Sequence, residues 1–275
     1  MLSSGKMRIV NGVPIHYTLD GPDAAPVITF AHALSLDLRS FDPQVNAFRE
    51  TYRVLRLDLR GHGRTDPDGG PFSMEDLGDD VVGLMDSIGC ARTHFVGSSL
   101  GAMAGLALAF GHAGRLSSLT FMASQGALPE EGIVRAHGSI AAMRASGVDN
   151  RTTLAEQTDA MLTRLLHDPD EAANPEQMAL LRRIIGETTA FGQARAYEAI
   201  FGMNYDNRLG EIRTPTLVLA GAQDSSTPPA RMQMYKDGIA GAQMEVLQEA
   251  GHFPNVEQPE AFNETLRNFL DGLRA

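Results

Sequence analysis

Three residues far apart in a chain of 275 are of the types that together activate a hydroxyl: Ser99, Asp224 and His252. Ser99 sits in GSSLG, a G-x-S-x-G, within the stretch THFVGSSLGAMAGLA at 93–107. Residues of β character (His94, Phe95, Val96) run there straight into a small-residue helical pattern. A strand that hands over to a helix in so few residues needs a sharp turn, and its apex residue, Ser99, is forced into a strained backbone conformation. Gly97 and Gly101 remove the Cβ atoms that would collide where strand and helix pass. The serine oxygen then stands clear of the backbone, beside the positive end of a helix.

A serine hydroxyl is a poor nucleophile until a base takes its proton and a third group orients that base. In a parallel sheet such partners lie on loops at the carboxyl ends of the strands. Asp224, in AGAQDSSTPP, follows a strand ending at 221; His252, in EAGHFPNVEQPE, follows the next one. Each has a structural alternative. Asp224 could cap the helix that starts near Pro228, and His252 could be a hydrogen-bonded loop histidine. Together, in the order Ser, Asp, His, they fit the triad of a nucleophile elbow. A tetrahedral oxyanion needs preset donors, and the backbone N–H groups of Leu100 and of Leu34, in the HALSLD loop, are the expected pair. His32 in that loop is assigned to holding the backbone, as are Arg60 and His62 in RGHGR.

The elements that must carry these residues can be read from hydrophobic spacing. Asn11-Gly12 between apolar segments signals a hairpin. The run VITFA at 27–31 is apolar throughout, as in a strand buried on both faces. Helix is expected at 41–48 and 74–88, the latter capped by Ser73 with Asp76. Strands are expected at 54–57, 94–97, 116–122, 216–221 and 242–247, with helices at 228–236 and 259–273. This alternation predicts an α/β fold with a mostly parallel central sheet flanked by helices. It is interrupted by four helical segments without a strand, at 130–145, 152–167, 175–187 and 192–201. The expected organisation is therefore a core domain at 1–126 and 209–275 with a helical cap inserted at 127–208. Gly126 and Asn207 are the joins on which such a cap would move.

Composition narrows the function. A hydrophobic share of 43% in 275 residues suffices for a sizeable core. With 23 basic against 34 acidic residues the net charge is −11, which argues against nucleic acid or an anionic membrane as partner. Cys90 is the only cysteine, so no intrachain disulfide forms, and it is assigned to the core. No stretch reaches the ~18 apolar residues of a membrane span, and MLSSGKMRIVNG lacks a secretory apolar run; the expected location is the cytoplasm. The histidines show no metal-ligand spacing, so no metal site is expected.

DLRGHGRTD, GSSLG, the AGAQD acid loop and GHFPNVEQPEAF resemble the α/β-hydrolase superfamily over essentially the whole chain. Within it, DPQVNAFRETYRVLRLDLRGHG, AGAQDSSTPP and the four-helix segment are similar to the 3-oxoadipate enol-lactonase branch. The resemblance implies Ser99 as nucleophile, His252 as base, Asp224 as orienting acid, the Leu34 and Leu100 amides as oxyanion hole, and no cofactor. Two positions depart from it: His32-Ala33 stands where His-Gly is common, and Ser98 where a larger apolar residue is expected beside the pocket. The expected substrate is a small ester or lactone. If it carries a second carboxylate, a cap arginine should meet it, with Arg135, Arg144, Arg164, Arg182, Arg183 and Arg195 as candidates. A C–C bond hydrolase or a cofactor-free perhydrolase would use the same triad, and a ligand receptor on this fold could keep it with little turnover. Oligomeric state is not legible.

Overall fold

The computed structural model describes residues 2–65, 70–145, 151–170 and 175–274. Strands β1 (Lys6–Val10) and β2 (Val13–Asp20) form the expected antiparallel hairpin, with Val10 opposite Val13. Asn11 and Gly12 both take positive φ, 49° and 81°, which a two-residue turn of the right-handed-twist type requires. The chain then alternates: β3 (Val27–Ala31), α1 (Asp42–Phe48), β4 (Arg53–Leu57), α2 (Met74–Ser87), β5 (Thr93–Ser98), α3 (Leu100–Gly111) and β6 (Leu116–Met122). Among the described residues four helices then follow with no strand between them: α4 (Glu130–Ala145), α5 (Arg151–Leu165), α6 (Pro175–Glu187) and α7 (Ala190–Gly202). The alternation resumes with β7 (Thr216–Gly221), α8 (Pro229–Gly238), β8 (Gln243–Leu247), the one-turn α9 (Pro254–Glu257) and α10 (Pro259–Gly272).

The eight strands form one sheet in the order β1-β2-β4-β3-β5-β6-β7-β8, antiparallel at β1/β2 and β2/β4 and parallel from there on. Side chains alternate across it as the pleat dictates. Ile28 and Phe30 of β3 join a cluster with Phe41, Val45, Phe48 and the α10 residues Phe262, Leu266 and Phe269. Val27 and Ala31 join the opposite cluster, with Leu77, Val81 and Leu84 of α2 and Tyr235 of α8. Helices thus cover both faces, and this is why VITFA carries no alternation of its own. Phe30 is fully buried with the Phe41 ring 4.9 Å away; truncating such a ring to alanine costs about 3–5 kcal/mol.

Helix α2 begins with a reciprocal cap: Asp76 N–H donates to Ser73 Oγ at 3.1 Å, and Ser73 N–H to Asp76 Oδ2 at 2.8 Å. Cys90 is buried, and burial raises its thiol pKa. Leu162, Leu165 and Leu166 at the end of α5, with Leu181, Ile184 and Ile185 of α6, make a separate cluster on Ala33, Leu36, Phe253 and Val256. Helices α5 and α6 therefore pack directly on segments that follow the carboxyl ends of β3 and β8. The joins at Gly126 and Asn207 differ from the loose hinges expected. Gly126 N–H donates to Tyr235 Oη at 2.5 Å and Asp206 Oδ1 at 3.1 Å, its carbonyl accepts Tyr205 N–H at 2.8 Å, and Arg231 pairs with Asp206 at 2.7 Å. Entry and exit of the four-helix segment are tied to each other and to α8.

Candidate active site

Ser99 is the single residue between β5 and α3, at φ 48° and ψ −108°. The two neighbouring glycines are demanded by packing: a Cβ on Gly97 would lie 2.4 Å from the Gly101 carbonyl oxygen, and one on Gly101 would lie 2.1 Å from that of Ala31 in β3. Backbone bonds hold the apex on both sides, from Ser99 N–H to Met122 O at 2.9 Å and from Gly101 N–H to His32 O at 3.0 Å.

The three chemistry-bearing side chains meet. Ser99 Oγ is 3.1 Å from His252 Nε2, and His252 Nδ1 is 2.9 Å from Asp224 Oδ2. Asp224 does not cap α8, whose N-cap is Pro228. Its carboxylate is fully engaged: Oδ1 accepts the N–H groups of Ser226 (2.8 Å) and Thr227 (3.1 Å), and Oδ2 accepts Thr227 Oγ1–H at 2.6 Å besides His252. Burial would raise this carboxyl, but the His252 hydrogen bond and charge, with the Thr227 bonds, outweigh it and hold the pKa down to about 2. An ionised carboxylate cannot donate, so His252 Nδ1 carries the proton and Nε2 is left to accept one from Ser99.

The loop after β3 turns tightly at Ala33 to Leu36, closed by Leu36 N–H to Ala33 O at 3.1 Å, with Ser35 at φ 66°. Leu34 lies second in this turn, and its N–H is not used by it. Leu100 is the first residue of α3, where an N–H has no helical acceptor. The His32 ring holds the loop as expected, with Nδ1–H donating to Ala33 O at 2.8 Å and Nε2 accepting Leu59 N–H at 2.9 Å. Burial lowers its pKa, so it stays neutral. Ala33 takes no positive φ, and the strain of the turn falls on Ser35 instead. Ser35 is in turn held by the inserted segment, through Thr188 Oγ1–H to its carbonyl at 3.1 Å and Gln193 Nε2–H to its Oγ at 2.5 Å. Arg60 pairs with Asp80, and His62 Nδ1–H donates to Arg60 O at 3.0 Å, which fixes the RGHGR loop; residues 66–69 of the longer loop lie outside the described residues.

A cavity of about 150 Å³ opens over Ser99, lined among others by Leu34, Met161, Arg164, Tyr197 and His252. Ser98 is absent from its wall; that side chain is buried and its hydroxyl unpartnered. Among the arginine candidates whose side chains are described, only Arg164 lines the cavity, and it forms no ion pair with a described residue. Arg144 and Arg195 pair with Glu198, Arg182 pairs with Asp159, and Arg183 is on the exposed surface. The Arg135 side chain lies outside the described residues. A larger cavity, about 550 Å³, lies beside Asp58, and most of its polar side chains are engaged with one another: Arg56 pairs with Asp42, Arg39 with Asp37 and Glu187, and the His16 ring hydrogen-bonds Asp58. Among the described residues no group of three His, Cys, Asp or Glu is placed to hold a metal, and no helix is long and apolar enough to cross a membrane.

A nucleophile elbow with these neighbours on this sheet has known counterparts. The family model described as the alpha/beta hydrolase family matches residues 30–265. The chain belongs to this family. It is 30% identical to 3-oxoadipate enol-lactonase 1 of Acinetobacter baylyi, over 96% of this chain and 95% of that one, and 31% identical to 3-oxoadipate enol-lactonase 2 of the same organism, over 92% of each. The crystal structure of the enol-lactonase from Burkholderia xenovorans superposes with a TM-score of 0.88 at 33% identity, covering 97% of this chain and all of that one. The chain is thus an alpha/beta hydrolase of the enol-lactonase branch. Sequence reasoning missed Thr227, Gln193 and Glu257. Thr227 was legible as the hydroxyl three residues beyond Asp224, within reach of an Asx-type turn; Gln193 meets Ser35 across 158 residues with no local signal, and Glu257 lies within six residues of Gly251 and Phe253 but its tie to His167 spans 90.

Proposed function

We propose that the protein is a serine hydrolase that opens a small lactone or ester through an acyl-enzyme on Ser99. The observation that carries this is the unbroken relay from Ser99 Oγ through His252 to an ionised Asp224, at 3.1 and 2.9 Å. His252 Nε2 takes the Ser99 proton as Oγ attacks the carbonyl carbon, and Asp224 stabilises the imidazolium that forms. The Leu34 and Leu100 N–H groups receive the oxyanion. His252 then protonates the leaving oxygen and activates the water that releases the acid. For a lactone the leaving group stays tethered to the acyl group, so this water must act before the ring recloses.

Residues 127–208 act in this scheme as a helical cap over the core at 1–126 and 209–275, and no cofactor takes part. Arg164 supports a substrate with a carboxylate remote from the scissile bond, because it lines the cavity and forms no ion pair with a described residue. The names of the enol-lactonase relatives support the same class. The experiment is steady-state hydrolysis by pH-stat of enol-lactones, saturated lactones, short acyl esters and a vinylogous diketone, with Ser99→Ala as blank. Fast turnover of lactones that vanishes in the blank is expected. At most one turnover on every compound, as a receptor would give, or a blank that keeps its rate, would overturn the assignment.

A further inference from the structure

The backbone around His252 is held by one side chain that takes no part in the relay. Glu257 Oε2 accepts the N–H groups on either side of the histidine, from Gly251 at 3.0 Å and Phe253 at 3.2 Å, while Oε1 accepts the N–H of His167, just past α5, at 2.7 Å. His252 N–H itself donates to Leu165 O at 2.7 Å. The approach is close enough that a Cβ on Gly251 would lie 2.3 Å from that same carbonyl oxygen. The loop of the acid joins in, with Ser225 Oγ–H donating to Arg164 O at 3.0 Å.

The last carbonyls of a helix lack intrahelical donors. Here Arg164 and Leu165 find theirs on the loops that carry Asp224 and His252. The end of α5 is therefore built into the site, and the turn that brings Arg164 to the cavity is the turn on which His252 hangs. Leu162, Leu165 and Leu166 packed on Phe253 and Val256 close this contact from the apolar side.

We propose that Glu257 is a positioning residue, whose carboxylate oxygen holds the backbone on both sides of His252 and so sets the imidazole's approach to Ser99. This rests on the serine mechanism proposed above. The imidazole is carried by a short loop, and a misplacement of about 1 Å at a reacting group lowers rates by up to about 10²-fold. A single carboxylate that receives Gly251, Phe253 and His167 removes that freedom on both sides of His252.

The test is the second-order rate of labelling by a fluorophosphonate. In this reaction Ser99 Oγ bonds to phosphorus, fluoride leaves and His252 takes the proton, so the rate reads the base directly. Glu257→Gln keeps an oxygen able to accept from Gly251 and Phe253; Glu257→Ala removes both sides of the lock. We expect Glu257→Ala to label about 10-fold or more slowly and Glu257→Gln to stay within about 3-fold of wild type, with unchanged near-ultraviolet circular dichroism in the isosteric variant. Wild-type labelling by Glu257→Ala, or an equal loss in both variants, would overturn the proposal. An unlabelled wild type would instead remove the serine mechanism on which it rests.

Discussion

Thr227 Oγ1 donates to Asp224 Oδ2 at 2.6 Å, on the same oxygen that accepts His252 Nδ1–H at 2.9 Å. The acid of the relay is thereby pinned on three sides, by its own turn and by this hydroxyl. Thr227→Val keeps the volume and the N–H but deletes the hydroxyl bond. Its expected effect on kcat is a loss of about 10-fold, far short of the ~10⁴ expected for Asp224→Asn, which reverses the tautomer of the base. Equal losses in the two variants would mean that Thr227 does more than hold the carboxylate.

Ser99 at φ 48° pays in stability for its exposure at the elbow. A Cβ in this region is strained, and alanine retains it where glycine does not. Ser99→Ala and Ser99→Gly should both lower kcat by about 10⁴- to 10⁶-fold. In denaturant, Ser99→Gly should be more stable than Ser99→Ala by about 1 kcal/mol. Identical unfolding midpoints would show that the elbow carries no such strain.

Arg164 separates binding from chemistry. Replacing it with glutamine keeps much of the side chain's bulk and removes the charge of a residue that lines the cavity. KM for an ester bearing a remote carboxylate is expected to rise about 10- to 100-fold with kcat little changed, while a neutral ester stays within about 2-fold. Steady-state kinetics on the two esters decides it, and an equal rise for both would assign Arg164 to packing.

Most of the fold was legible because its elements are long or carry strong punctuation. Asn11-Gly12 set the hairpin, Ser73 and Asp76 the start of α2, and the apolar runs at 27–31 and 216–221 the central strands. The one-turn α9 and the 3-10 turns at Leu38–Phe41 and Asp206–Glu211 escaped, being too short for any period to register. Within the site, Ser99, Asp224 and His252 could be named because each sits at the end of a strand. Arg164 could not be told from five other arginines, since what distinguishes it is the docking of Leu165 and Arg164 carbonyls on two distant loops. Gly126 looked like a hinge in the sequence, and only the side chains of Asp206 and Tyr235, about 80 and 109 residues on, make it a fixed joint.

Two buried histidines, His32 and His62, are expected to make the fold sensitive to acid. His62 is 1% exposed, and burial, with the neighbouring His32 ring, holds its pKa down to about 3 from 6.5. His32 is lowered in the same direction by burial. Below about pH 6.5 the unfolded chain binds protons that these imidazoles refuse in the folded state, so stability falls as pH drops below that value, for His62 down to about pH 3. Each histidine can add a slope of up to about 1.4 kcal/mol per pH unit. Asp224 acts in a lower window, where its depressed carboxyl gives up stability only between 3.8 and about 2. The two histidines should therefore make the unfolding free energy decline from pH 6.5 to 4, before the Asp224 window is reached. His62→Gln should flatten that decline by nearly one proton, because the amide can still donate to the Arg60 carbonyl but does not titrate. Parallel pH profiles for wild type and His62→Gln, from urea denaturation at fixed ionic strength, would place the acid sensitivity elsewhere in the chain.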